Sequence, residues 1–173
     1  MPLPRPRGFE RIIAMVRVSA ICCAIALVLL AAIPVFGRAG SENEQLAAHK
    51  RLAQQYLNDN KPDLAVQEFR AIVALSPNDV EARGNLGVLL FFQGNYKDAA
   101  QELRAALHQQ PALWKLEALL GMSERRIGQT AQAQTDLEKA FPQLREEKIR
   151  VQTGMELIEM YYGAGALDKA GQW

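Results

Sequence analysis

Cysteine is almost absent from this 173-residue chain: the only two, Cys22 and Cys23, lie together in an apolar run near the N-terminus. The remainder has no thiol, so neither a disulfide nor a cysteine metal site is open to it. Histidine is equally scarce. His49 and His108 stand 59 residues apart, whereas a metal centre needs several converging ligands. No glycine-rich phosphate loop occurs, and Ser41, Ser76 and Ser123 lack the Gly-x-Ser-x-Gly elbow of a hydrolase nucleophile. Glu146-Glu147 and Arg125-Arg126 read as solvated helix charges, not as acid–base pairs or phosphate clamps. These absences argue against an enzyme and imply no cofactor. Excess positive charge is missing too: beyond residue 40 there are 15 Lys/Arg against 18 Asp/Glu. A mildly acidic body without a basic stripe is a poor match for a phosphate backbone, so no nucleic-acid partner is expected.

What is present begins with an address. Arg5, Arg7, Arg11 and Arg17 precede Val18–Phe36, a run of 19 residues without a charge. A basic stretch followed by an apolar run and small residues around Ala39 has the layout of a secretory signal cleaved after Ala39. The run is also close to the ~20 residues that span a bilayer as a helix, so a retained transmembrane anchor fits equally. Either way the positive charges sit before the apolar run, and the body beyond it is expected outside the cytoplasm, periplasmic, secreted or tethered. Residues 1–40 are read as this segment, and membrane contact is expected only through residues 18–36.

From residue 46 the chain repeats itself every 34 residues, over 46–79, 80–113 and 114–147. Position 7 holds Leu52, Leu86 and Leu120; position 8 holds Ala53, Gly87 and Gly121. Position 15 holds Asn60, Gly94 and Gly128, and position 20 holds Ala65, Ala99 and Ala133. Phe69, Leu103 and Leu137 occupy position 24, and Pro77 and Pro111 close two repeats at position 32. Small residues at 8 and 20 let two helices approach closely, Gly or Asn at 15 suits a left-handed helix end, and Pro at 32 stops a second helix. The large residues are spaced to bury between layers.

In these residues the chain resembles the tetratricopeptide repeat family. The resemblance implies an all-α fold, a right-handed solenoid of antiparallel helix pairs over 46–173, behind the N-terminal apolar helix. Two departures stand out. Position 4, bulky in the family, holds His49, Arg83 and Glu117, and position 11 is Tyr56, Leu90 and then Glu124. An incomplete fourth repeat, about 151–173, places Ala170 three residues late, with Pro142 shortening the helix before it.

The family binds partners in a concave groove lined by its first helices. Carried onto this chain, the groove positions are Lys50, Arg51, Gln54, Leu57 and Asn58 in the first repeat. The second repeat gives Glu81, Asn85, Val88, Phe91 and Phe92, and the third Lys115, Leu119, Met122, Arg125 and Arg126. Phe92 and Met122, if exposed, make an apolar contact surface with basic residues at both ends, which suits a peptide with an apolar anchor and an acidic flank. Of the five positions of the carboxylate clamp found in some members, three match (Lys50, Asn85, Lys115) and two depart (Gln54, Leu119). The expected function is an exported or membrane-tethered scaffold for a protein or peptide. The alternative is the N-terminal part of a longer enzyme or of a transport or assembly component. Leu157, Ile158, Met160, Tyr161 and Leu167 are expected to leave an open apolar end, through which copies could self-associate.

Overall fold

A computed structural model of the chain describes residues 40–173. The apolar run 18–36, its two cysteines and the cleavage position after Ala39 lie outside the described residues. The chain divides into two compact units, Met1–Gln45 and Leu46–Trp173. Of the first, residues 40–45 are described and are helical. Among the described residues there is no strand, and no helix is long and apolar enough to cross a membrane.

The second unit is a stack of helix pairs. Its helices are α1 (46–58), α2 (Pro62–Leu75), α3 (Val80–Phe92), α4 (Tyr96–Gln109), α5 (Trp114–Arg126), α6 (Thr130–Ala140), α7 (Glu147–Gly163) and α8 (Leu167–Ala170). Four pairs result, α1/α2 to α7/α8, the first three in the 34-residue register and the fourth three residues late. Position 15 decides that register. Asn60, Gly94, Gly128 and Gly165 all have positive φ, between 54° and 82°. Each ends its first helix in the left-handed conformation. The N–H one residue later then returns to the position-11 carbonyl: Lys61 to Tyr56 at 2.8 Å, Asn95 to Leu90 at 2.9 Å, Gln129 to Glu124 at 2.8 Å and Ala166 to Tyr161 at 2.9 Å. This 6→1 closure satisfies an orphan carbonyl at each helix end.

Positions 20, 24 and 27 form the core, with Ala65, Ala99, Ala133, Leu103 and Leu137 fully buried and Phe69 and Ile72 nearly so. Position 8 explains the close approach. A Cβ on Gly87 would sit 2.6 Å from Leu103 Cγ, and one on Gly121 2.7 Å from Leu137 Cγ. Leu52, at position 7 of the first repeat, is exposed although Leu86 and Leu120 are buried.

Near the end of the third repeat, directly after α6, stands a 3-10 turn, Phe141–Gln143, containing Pro142. It cuts α6 to 11 residues, against 14 in α2 and α4, and α7 extends to 17 residues. The open end differs from the sequence expectation. Leu157 and Tyr161 are buried, because they face α5 and α6. Ile158 and Leu167 are exposed as expected, together with Val151, Met155 and Tyr162.

Candidate functional site

Asn85, on α3 at position 6, sits where two cavities meet. The smaller, about 220 Å³, lies between the first and second repeats and is lined by Lys50, Gln54, Asp79 and Asn85. The larger, about 800 Å³, lies between the second and third repeats, where Trp114, Lys115 and Leu116 face Asn85 and Gly84. Glu81 and Asn85 line both. The two cavities therefore adjoin at Glu81 and Asn85, and together they make up the Asn85 channel along the starts of the first helices.

The sequence expectation survives in part. Lys50, Gln54, Asn85 and Lys115 line this channel. Leu57, Asn58, Val88, Phe91 and Phe92 line neither cavity. Leu57, Val88 and Phe91 are half-buried and pack against the core, and Asn58 accepts a bond from Gln54 Nε2 at 3.0 Å. Phe92 is 76% exposed, its ring edge-on to Phe91 with centroids 5.4 Å apart.

In the third repeat the expected groove face is closed. Met122 is 1% and Leu119 6% exposed, so the apolar contact surface expected at Met122 does not form. The cause is that α5 touches α3, α4, α6 and α7, which leaves it little free face. Arg125 and Arg126 are engaged by α7. Both bond to the buried Glu156, Arg126 Nη2 at 3.0 Å, and Arg125 Nη2 also reaches Glu159 at 2.8 Å.

The channel's own charges are also paired. Lys50 Nζ stands 2.7 Å from Asp79 Oδ2, and Lys115 Nζ 2.7 Å from Glu146 Oε1. Asp79 caps α3, accepting from the Ala82 N–H at 2.9 Å. Burial would raise the Asp79 carboxyl, but the bonds from Lys50 and Ala82 and the charge of Lys50 outweigh it and hold it below its usual value. The Lys115–Glu146 pair is more than half exposed on both sides, and such pairs are worth only ~0–1 kcal/mol. A ligand carboxylate can therefore recruit Lys115 at little cost. Sequence reasoning missed Gly84, Trp114, Leu116 and the 143–146 turn. Gly84 was the available signal: a small residue at groove position 5 opens space that Leu116 then walls, its Cδ1 3.0 Å from where a Cβ would lie.

Helix pairs in register, left-handed ends at position 15 and close contacts at position 8 describe one architecture. Residues 50–113 match the tetratricopeptide repeat family. Solved structures share the fold. The crystal structure of MamA protein has 20% sequence identity and a TM-score of 0.65, covering 74% of this chain and 68% of that one. The second tetratricopeptide domain of the human RPAP3 protein, solved in complex with the HSP70 peptide SGPTIEEVD, has 16% identity and a TM-score of 0.57, covering 69% and 97%. An O-GlcNAc transferase mutant of Thermobaculum terrenum has 21% identity and a TM-score of 0.52, covering 69% of this chain and 22% of that one. No curated protein matches the sequence. The helical array thus presents an amide at the meeting of the two cavities, an ammonium on either side and an indole in one wall.

Proposed function

We propose that the array is an exported or membrane-tethered scaffold that holds a peptide in the channel centred on Asn85. The observation that carries this reading is that the two cavities adjoin, with Glu81 and Asn85 lining both. Trp114, Leu113 and Leu116 supply an apolar wall, Lys50 and Lys115 charge, and Asn85 a fixed donor and acceptor. That set suits an extended peptide with an apolar anchor and an acidic or carboxylate flank. The peptide held by the RPAP3 domain has this character, which supports the reading.

Fluorescence polarisation with labelled SGPTIEEVD and a panel of acidic peptides with one apolar anchor tests it. Asn85→Ala should weaken binding by about tenfold or more, since a hydrogen bond to a charged group is worth ~1.5–3 kcal/mol. Binding that ignores both Asn85→Ala and Lys115→Ala would place the partner elsewhere. Export rests on the four arginines before residues 18–36. Residues 1–45 fused to an enzyme active only outside the cytoplasm should give activity, and deletion of 18–36 should abolish it. Activity that survives the deletion would refute export through this segment. A second reading, as the helical part of a longer enzyme or transport component, draws on the likeness to O-GlcNAc transferase. The mass of the native protein would decide it.

A further inference from the structure

The fourth helix pair departs from the others where they are alike. Counted from Gly165 at position 15, α7 carries Met155 at position 5 and Ile158 at position 8. In α3 and α5 both positions are small, Gly84 and Ala118 at 5, Gly87 and Gly121 at 8. Small residues there admit neighbouring helices. A Cβ on Gly84 would lie 3.0 Å from Leu116 Cδ1 of the next first helix, and one on Gly121 2.7 Å from Leu137 Cγ of its own second helix. Met155 and Ile158 are instead 58% and 38% exposed. A further helix packed in the register of α3 and α5 would meet bulk at both positions.

Val151, Met155, Ile158 and Tyr162 recur every three or four residues and form one stripe about 16 Å long on α7. Val151 is 54% and Tyr162 70% exposed, and no stripe residue lines the Asn85 channel. The face is not the one expected from the sequence, since Leu157 and Tyr161 are buried. At these exposures the stripe offers roughly 400–500 Å² of apolar surface. Dimer interfaces are about 60–65% apolar, so one built on the stripe covers roughly 600–800 Å² per copy, close to a standard specific interface. Charge flanks the stripe. Lys148 and Glu159 stand 11 residues apart, three helical turns, on the same side of it. Both are exposed, Lys148 without a salt-bridge partner among the described residues and Glu159 with one oxygen on Arg125.

We propose that this stripe is the interface of a homodimer, in which two copies of the chain pack α7 antiparallel about a two-fold axis with Met155 and Ile158 near its centre. Antiparallel packing carries each Lys148 toward Glu159 of the other copy and sets the two helix macrodipoles head to tail. Parallel packing would set like charge beside like. A stripe along one helix is self-complementary under a two-fold axis, so the contact closes at two copies and needs no second surface. Met155, long and unbranched, fills the irregular gaps between two rows of large side chains. The dimer contact and the peptide channel can fail independently, because they share no residue.

The test is sedimentation equilibrium of the full chain in a density-matched non-ionic detergent, where every variant keeps residues 18–36 and any association they bring. The parent chain should show a monomer–dimer equilibrium with a micromolar dissociation constant, the weak end for an interface of this size. Met155→Glu should weaken it about tenfold or more, whereas Leu64→Glu, at an exposed leucine of α2 off the stripe, should leave it unchanged. Lys148→Glu and Glu159→Lys should each weaken it about threefold to tenfold. Mixed in equal amounts, these two variants should regain the parent affinity as heterodimers, a recovery that misfolded chains would not give. A parent chain that stays monomeric would overturn the proposal and leave the stripe to a partner of another kind. A dimer indifferent to Met155→Glu would overturn it too, by placing association elsewhere, residues 18–36 included. Charge variants that do not recover on mixing would overturn the antiparallel pairing.

Discussion

Substituting alanine for single glycines should separate two effects of opposite sign. In a helix interior Ala is favoured over Gly by about 1 kcal/mol. Overpacking a tight core costs about 1–3 kcal/mol. At Gly121 the new Cβ would lie 2.7 Å from Leu137 Cγ and 3.0 Å from the Ala133 carbonyl oxygen. Leu137 is fully buried, so its branch point has nowhere to go, and the carbonyl moves only if α6 moves. Contacts this short put the steric cost in the upper part of its range, about 2–3 kcal/mol, so it wins and Gly121→Ala should lose about 1–2 kcal/mol net. Gly87 is the same case, at 2.6 Å from Leu103 Cγ and 3.2 Å from its backbone nitrogen. Gly84 is the contrast. Its nearest neighbour is a methyl end of the half-buried Leu116 at 3.0 Å, with the other methyl at 4.0 Å. That methyl can rotate, so Gly84→Ala should be neutral or stabilising by up to about 1 kcal/mol. Differential scanning calorimetry reads the outcome, since 1 kcal/mol moves the Tm of a body this size by roughly 3–5 °C. Gly121→Ala and Gly87→Ala should melt about 3–8 °C below the parent chain and Gly84→Ala at or above it. In a Leu137→Ala background the Gly121→Ala loss should shrink, because the contact it offends is gone. A Gly121→Ala chain melting with the parent, or a Gly84→Ala chain falling as far, would mean that position 8 is not the close contact of the pair.

Ala99→Leu, at the fully buried position 20 of the second repeat, should cost at least ~1–3 kcal/mol, and amide exchange should quicken in both flanking pairs because such arrays couple nearest neighbours; parent-like exchange in α2 and α6 would refute the coupling. Asp79→Ala removes the α3 cap and the Lys50 pair, for a loss of about 1 kcal/mol. The folded Asp79 carboxyl is held below its usual range, so this contribution is present above about pH 4 and fades as pH falls through the folded value. A loss that stays constant down to pH 2 would refute the assignment. Asp136 has the opposite sign. Burial first, and then the Glu124 charge and hydrogen bond, raise its carboxyl to about 7, so the folded state holds a proton that the unfolded state has released. The destabilisation is absent below about pH 4, grows to pH 7 and is complete above it. Asp136→Asn should therefore match the parent's Tm near pH 4 and exceed it at pH 8; a difference independent of pH would show that Asp136 does not titrate as described.

The parts of the fold legible in the sequence were those fixed by one residue and its own backbone. Asn60, Gly94, Gly128 and Gly165 announce a left-handed helix end because the conformation belongs to the residue itself. Pro142 announces a short α6 for the same kind of reason. The groove was legible only where its neighbours repeat. Lys50, Gln54, Asn85 and Lys115 face the channel because the pairs around α1 and α3 follow the 34-residue spacing. Met122, Arg125 and Arg126 do not, because a three-residue insertion and a 17-residue α7 put Glu156 and Glu159 over the face that the spacing would leave open. Three acids lining the cavity between α4 and α6, Glu117, Glu124 and Asp136, show the same limit from the other side. Glu117 and Glu124 are visible in sequence as departures at positions 4 and 11, and taken singly each predicts no more than a loosely packed layer. Asp136 breaks no pattern at all, since position 23 is acidic in all three repeats. Only the fold shows that 4 and 23 are partners, as in His49–Glu68 and Arg83–Glu102. Reversing the charge of one partner while keeping the other turns two unremarkable residues into a buried excess of negative charge. A departure at one repeat position therefore acquires chemical meaning only beside the position it packs against, and that pairing is a property of the helix hairpin, not of either residue.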